Sequence, residues 1–452
     1  MNDKYHVALA LADTMLAGDA KPAGLRQSVS WALGETRPWI AALCRAIRKR
    51  TGEHFYHYSR EELAALIFKH RGFSNAWTDK GEPPMIRRYC LAPPRAVEKP
   101  AWLAALGLPE LANAAELAQW LKVTPGELDW YADQWRNNSA APAALQHYRY
   151  RWVEKRSGGL RLIEMPKLRL RAIQGQILRR LLNLVPPHPA AHGFRRAHSC
   201  VTHAAQHAGK ALVIRMDLKN FFPGIPAPRI HALFAKLGYS HHVAGMLARL
   251  CTHRTPSSVF NDPAVRKVLP SPDRIQFRTP HLPQGAPSSP ALANLCAFRL
   301  DMRLDALAKS LGAAYTRYAD DLAFSGGREL ESAMDRFHVQ VAAIALEEGF
   351  AVNTRKTRMM RAGVRQQVTG IVVNRHPNIP RQEFDTLKAM LTNCLRHGPA
   401  SQNRERRDNY RDYLAGKIAY VHMLNPQRAT RLRALFDRIV WPDKSAAALT
   451  EN

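Results

Sequence analysis

Strict alternation of apolar and polar positions marks the clearest element of the chain. In His147-Tyr-Arg-Tyr-Arg-Trp-Val153, Tyr148, Tyr150 and Trp152 share one face of a strand and Arg149 and Arg151 the other. Lys155-Arg-Ser-Gly-Gly159 reads as a turn and Leu160-Arg-Leu-Ile-Glu-Met165 as the returning strand, a β-hairpin with a basic tip that Pro166 ends. The period then lengthens. Ile173, Ile177, Leu178, Leu181 and Leu182 predict an amphipathic basic helix closed by Pro186-Pro187. Beyond His192, apolar runs predict strands at Ala211–Leu218, Ala313–Tyr318, Leu322–Ser325 and Val368–Val373. Helices are predicted near Pro228–Leu237, Pro290–Lys309 and Leu330–Glu348. This mixture predicts an α+β sheet covered by helices on one face. Thr252–Thr279, rich in Pro, Ser and charge, predicts a long loop, and the chain from Arg381 reads as basic helices ending in a frayed tail after Lys444.

The region before the hairpin reads as helical. Ser59-Arg-Glu-Glu62 is a capping box opening Leu63–His70, Asn113-Ala-Ala-Glu116 opens Leu117–Lys122, and Thr124-Pro-Gly-Glu127 opens a further helix with Pro125 at its first position. The last two predict a helical hairpin packed through Leu117, Trp120, Leu121, Leu128 and Trp130. Eight of the nine tryptophans lie at or before Trp152, so roughly the first 140 residues read as a separately packed unit. Cys90–Pro100 reads as a Pro-rich loop and Asn137–Pro142 as a linker.

Composition changes the picture through charge. The chain has 452 residues, with 66 Lys plus Arg against 37 Asp plus Glu, a net charge of +29. A surplus of that size calls for a polyanionic partner. Its spread along the chain predicts a basic groove on a folded body, and no apolar stretch approaches the ~20 residues that span a bilayer. Nucleic acid is therefore the expected partner and a membrane is not. Six scattered cysteines, no zinc-like Cys/His cluster and no signal-peptide pattern predict a reducing, cytoplasmic setting.

Two positions then supply chemistry. The strand Ala211-Leu-Val-Ile-Arg-Met-Asp217 runs into a lone carboxylate, and Tyr318-Ala-Asp-Asp321 sets two more between apolar runs. Like charges inside a buried hairpin need a cation. Asp217, Asp320 and Asp321 are the minimum set for two divalent ions of the kind that drive phosphoryl transfer, and carboxylates suit Mg²⁺. Phe222 lies five residues beyond the first acid, placed to stack against an incoming sugar. Leu282-Pro-Gln-Gly-Ala-Pro-Ser-Ser-Pro290 is a turn whose Gly285 permits close approach to a substrate and whose Gln284 can hydrogen-bond it. Lys356, in Asn353-Thr-Arg-Lys-Thr357, can donate a proton to a pyrophosphate, and Lys155 and Arg161 on the hairpin suit a triphosphate.

Taken in order, these segments resemble the seven sequence blocks of a reverse transcriptase, from about Tyr148 to Pro442. The resemblance implies a right-hand polymerase fold. It has a helical N-terminal extension (1–140), fingers (141–210), a palm with an antiparallel sheet (211–375, with the inserted loop 252–279), a helical thumb (376–445) and a disordered tail (446–452). It gives the three acids and the Leu218 backbone carbonyl the role of metal ligands for two Mg²⁺ ions, with Mn²⁺ as substitute. It makes Phe222 the gate against a ribose 2′-OH, Gln284 and Gly285 nucleotide contacts, and Lys356 the pyrophosphate-side lysine. Within that family the chain is most similar to bacterial retron enzymes. Ala204-Ala-Gln-His207 resembles their Asn-Ala-x-x-His element, with His203 where asparagine is expected, and Val368-Thr369-Gly370 resembles their Val-Thr-Gly element. His203, Ala204, His207, Val368, Thr369 and Gly370 are then the candidates for RNA recognition. The implied partners are a structured non-coding RNA serving as template and primer, its DNA product, deoxynucleoside triphosphates and an effector protein. The implied activity is synthesis of a branched RNA–DNA in antiphage defence. The alternatives are a group II intron-like or other defence-type reverse transcriptase, a catalytically silent RNA-binding scaffold, and a palm-fold nucleotidyl cyclase.

Overall fold

The computed structural model describes residues 3–78, 83–90, 100–133, 138, 141–155, 158–269 and 274–441. Most of the Cys90–Pro100 loop, much of the 137–142 linker, the hairpin tip at 156–157, residues 270–273 and the tail lie outside the described residues. The chain divides into two compact units. One joins Met1–Pro186 with Ile225–Leu292, the other Pro187–Gly224 with Ala293–Asn452.

In the first unit the helices Asp3–Ala17, Pro22–Leu33, Pro38–Thr51 and Arg60–Lys69 enclose Leu11, Met15, Leu25, Ile40, Leu43, Phe55 and Phe73. The Ser59 capping box forms in both directions, Ser59 Oγ accepting from Glu62 N at 3.2 Å and Glu62 Oε2 from Ser59 N at 2.9 Å. The Thr124 box opens Pro125–Ala132 in the same way. Leu117, Leu121 and Leu128 are buried, but Trp130 is exposed, its ring perpendicular to that of His147 at 5.1 Å. β1 (Tyr148–Glu154) and β2 (Leu160–Pro166) pair antiparallel from Tyr148↔Pro166 to Glu154↔Leu160. Their aromatic face packs inward, Tyr148 stacked on His253 at 4.0 Å and Trp152 against Phe260 at 5.9 Å. The segment expected as a long loop holds the short helices Ser257–Phe260 and Pro263–Val268. Phe260, Val265 and Phe277 form a small satellite core with Leu162, which anchors the segment in spite of its polar composition.

The second unit is built on an antiparallel sheet ordered β4-β5-β3-β6, comprising β3 (Leu212–Asp217), β4 (Ala314–Tyr318), β5 (Asp321–Gly326) and β6 (Arg358–Arg361). Both faces are covered, correcting the one-sided expectation. Val213 and Ala323 pack with Ala204, Val368, Ile371 and the C-terminal helices, while Phe324 on the other face meets Phe337 of the helix Met334–Glu347 at 5.0 Å. Burial on two sides is why β3 reads as a continuous apolar run. The predicted strand Val368–Val373 is instead a tight hairpin of β7 (Gln367–Val368) and β8 (Ile371–Val372). Thr369 and Gly370 both have positive φ there, as a two-residue hairpin turn requires. The helix expected over Pro290–Lys309 breaks at Ala297, and that over Leu330–Glu348 at Ala333. Among the described residues three α-helices follow, Arg381–His397, Tyr410–Leu424 and Pro426–Phe436, packed through Leu391, Leu414, Val421 and Leu432.

Candidate active site

Asp217 ends β3 and Asp321 begins β5, and the two are direct partners across the ladder. Leu218 N–H donates to the Asp320 carbonyl at 2.8 Å. That bond puts the Asp217–Asp321 pair at a non-hydrogen-bonded position, where Cα atoms approach to about 4.5 Å and side chains are closest. β4 reaches β5 through Ala319, a non-glycine residue at φ +58°. Asp320 therefore sits in a two-residue turn between Tyr318 and Asp321, the last pair of the β4–β5 ladder.

Two like charges in register need compensation, and cations of the same unit supply it. Lys356 Nζ lies 3.1 Å from both Asp217 carboxylate oxygens, on a side chain 44% exposed. Arg215, two residues before Asp217 and so on the same strand face, donates to Asp321 Oδ1 at 3.1 and 3.0 Å. Burial pushes the Asp321 carboxyl above the ordinary range, with Arg215 opposing and Asp217 reinforcing the shift. The Asp217 strand end is pinned by Asn353, whose N–H donates to the Asp217 carbonyl at 2.7 Å. The helical turn Thr354–Lys356 that follows delivers Lys356.

This donor set consists of carboxylate oxygens, the ligand class of hard divalent cations, and both paired acids already hold a positive group, so the residues fit such an ion. Among the described residues no cluster of three or more His, Cys, Asp or Glu stands at metal-ligating spacing. Asp217 and Asp321 are engaged by Lys356 and Arg215 instead.

The other expected site residues fall in two places. Phe222 belongs to the second unit, partly exposed, its ring 6.0 Å from Phe194 and 5.5 Å from Phe221. Phe221 is the buried member of the pair, stacked on Phe350. Lys155, Arg161, Gln284 and Gly285 belong to the first unit. Glu164 N–H of β2 donates to the Gln284 carbonyl at 2.8 Å, and a Cβ on Gly285 would stand 2.8 Å from the Glu164 carbonyl oxygen. Gly285, at φ +135°, is thus required for the loop to press against the strand that carries Arg161.

The residues expected to read RNA are mostly interior. His203, Ala204, His207 and Val368 are buried, and of this set Gly370 alone is exposed. Thr316 Oγ1 joins His203 Nδ1 at 2.6 Å and His207 Nε2 at 2.7 Å, and His207 Nδ1 meets Ser325 Oγ at 2.8 Å. The two histidines thus bolt the helix Cys200–Ala205 and the residues after it to β4 and β5. Desolvation lowers them to about 2 and about 3, so both are neutral. Sequence reading missed Arg215 as partner of Asp321, although its two-residue offset from Asp217 was visible. It also missed Asn353 as a backbone anchor, for which no local signal exists.

The sequence pattern of the family "Reverse transcriptase (RNA-dependent DNA polymerase)" matches residues 153–389. The chain is 40% identical over 338 residues to the retron Mx65 reverse transcriptase of Myxococcus xanthus, covering 74% of this chain and 73% of that protein. It is 34% identical to the retron Mx162 reverse transcriptase of the same organism, over 76% of this chain and 70% of that protein. To the retron Ec86 reverse transcriptase of Escherichia coli it is 31% identical, over 54% of this chain and 69% of that protein.

Proposed function

Since the chain belongs to the reverse transcriptase family, as an RNA-directed DNA polymerase of the retron type, we propose that Asp217, Asp320 and Asp321 hold the two Mg²⁺ ions of its polymerase site. The observation that carries this reading is the in-register Asp217–Asp321 pair with Asp320 in the adjoining turn. Enzymes of this family generally use divalent metal ions. These acids, with the Leu218 carbonyl, would hold the ions, which would ease ionisation of the attacking hydroxyl and offset charge on the departing pyrophosphate.

The chain's own residues do the rest. Lys356, half in solvent, leaves Asp217 when the site fills and meets the pyrophosphate, to which its ammonium donates a proton. Phe222 presents its ring to the sugar and excludes a 2′-OH. Gln284 and Gly285 meet the nucleotide, and Lys155 and Arg161 its phosphates. Exposed Arg431 and Arg438 on and after the last helix, with Lys388 and Arg411, grip the duplex through its backbone, as fits a thumb over 376–445. The Thr369–Gly370 turn is the part of the expected RNA-reading set that can touch RNA, while His203, Ala204 and His207 support the sheet from within.

The partner is a structured non-coding RNA, primed from an internal 2′-OH and copied into a branched RNA–DNA, with an effector protein and a role in antiphage defence. A net charge of +29 favours such a polyanion. Among the described residues no helix is long and apolar enough to cross a membrane, which suits cytoplasmic work on RNA. The test is primer extension on RNA by the Asp320→Asn/Asp321→Asn variant, together with sequencing of nucleic acid that co-purifies with the wild-type protein. Loss of extension and a discrete RNA–DNA species are expected. Robust extension by the double variant refutes the acid assignment, and absence of a joined RNA–DNA refutes the branched product.

A further inference from the structure

Arg317 is the largest fully buried side chain of the protein among the described residues, and it carries a charge. It sits on β4, one residue before Tyr318-Ala-Asp-Asp321, on the face opposite the His203–Thr316–His207 network. Its guanidinium makes four hydrogen bonds. Nε and Nη2 form a fork on Asp301, at 2.7 Å to Oδ1 and 2.6 Å to Oδ2, and Nη1 donates at 3.0 Å both to Asn294 Oδ1 and to the Ala319 carbonyl. Asp301 is itself fully buried and also accepts from Tyr315 Oη at 2.8 Å. Asn294 turns its Nδ2 to the Gly193 carbonyl at 2.9 Å. The Arg317 backbone is held on both sides, its N–H donating to the Ala190 carbonyl and its C=O accepting from His192 N–H, each at 2.8 Å.

The Ala319 carbonyl is the notable acceptor. Ala319 lies in the left-handed region at φ +58°, a conformation unfavourable for a non-glycine residue that persists only where its surroundings fix it. Arg317 supplies that fixing from inside the fold. A buried ion pair is poor evidence of stability, because apolar replacement of both partners is often neutral or better. Beyond Asp301 the guanidinium also holds Asn294 and the Ala319 carbonyl. Asp301 is on the helix Phe298–Lys309 and Asn294 on Ser289–Cys296. One side chain thus refers the turn carrying Asp320 to both helices.

We propose that Arg317, oriented by Asp301 and Asn294, is a positioning residue that sets the backbone of the 318–321 turn and hence the aim of Asp320 and Asp321. It touches neither substrate nor metal. The proposal rests on the reading of those two acids as metal ligands.

The experiment compares Arg317→Met/Asp301→Leu, Arg317→Lys and Asp320→Asn/Asp321→Asn in the full chain. Four quantities are measured: the thermal midpoint, kcat and KM for deoxynucleotide on an RNA template, and Mn²⁺ affinity followed by electron paramagnetic resonance without nucleotide. For Arg317→Met/Asp301→Leu the expected result is a midpoint within a few degrees of wild type, kcat lower by about tenfold to a hundredfold, a Mn²⁺ dissociation constant raised severalfold and a nearly unchanged KM. Wild-type kcat and Mn²⁺ affinity in a folded double variant overturn the proposal. If that variant does not fold, Arg317→Lys decides by the same criteria, since lysine keeps the charge but cannot span Asp301 and Ala319. Failure of both to fold assigns the pair to stability alone and also overturns it. Should Asp320→Asn/Asp321→Asn bind Mn²⁺ and polymerise normally, the underlying reading of the acids fails, an outcome separable from failure of the Arg317 proposal.

Discussion

Gly193→Ala perturbs the 318–321 turn, which carries two of the acids proposed to hold the metal ions, without altering any charged group. A Cβ at Gly193 would stand 2.6 Å from the Ala319 nitrogen, 3.2 Å from the Tyr318 carbonyl carbon and 3.3 Å from its Cα. All three neighbours are backbone, so no side chain can swing aside. Relaxing the nearest contact to 3.4 Å, the lower edge of ordinary van der Waals contact, requires a shift of about 0.8 Å. The segment bearing Gly193 cannot absorb it freely, because the Ala190 carbonyl and the His192 N–H are bonded to Arg317 and Asn294 holds the Gly193 carbonyl. Much of the movement therefore passes to the 318–321 turn. A misplacement near 1 Å at a reacting centre costs about a hundredfold in rate, and overpacking costs about 1–3 kcal/mol of stability. Single-turnover primer extension at saturating deoxynucleotide should show a ten- to hundredfold slower step. Thermal melting should fall by a few degrees. A variant that extends within twofold of wild type and melts normally would show that the turn is not seated on Gly193 and would refute the reasoning.

Two further outcomes follow from the site. Phe222→Ala removes the partly exposed ring beside Phe194, and incorporation of ribonucleotides should rise relative to deoxynucleotides in competition assays; unchanged sugar discrimination removes Phe222 as the gate. His203 and His207, lowered to about 2 and about 3 by burial, stay neutral in the folded protein while their unfolded counterparts take up protons below pH ~6.5. Their contribution is intact above that pH and is lost as pH falls, by about 1.4 kcal/mol per pH unit for each histidine. Urea unfolding between pH 7 and 5 should show this slope, reduced by about one proton in His207→Gln; identical slopes in the two proteins would count against neutral burial.

The acids were legible because each stands where an apolar run stops, which alternation and charge expose together. The capping boxes at Ser59 and Thr124 were legible because their logic is local, three residues from end to end. Arg317 was not. In sequence it is one more arginine in a chain rich in them, and only the return of the helix Phe298–Lys309 shows that Asp301 receives it. The same holds for His203 and His207: their four-residue spacing is visible, but their partners Thr316 and Ser325 lie more than a hundred residues further on. β6 escaped because Arg-Met-Met-Arg lacks the β-branched residues that mark a strand, and its place at the sheet edge is set by pairing with β3. The Val368–Val373 run misled in the opposite direction. Its valines and isoleucine promise one strand, whereas Thr369 and Gly370 fold it back upon itself.

The pairing of Asp217 with Asp321 makes the site a property of strand register. Successive residues of a strand face opposite sides of its sheet, so deleting one residue of β3 ahead of Asp217 would carry the carboxylate to the opposite face and Leu218 into its place, with all three acids still encoded. The lineage of this enzyme can therefore exchange side chains in β3 and β5 with some freedom, provided their volumes suit the two cores, but it cannot change the length of either strand. Insertions and deletions should accumulate in the hairpin tip and in the segment after Thr252, and stop at the borders of these two strands.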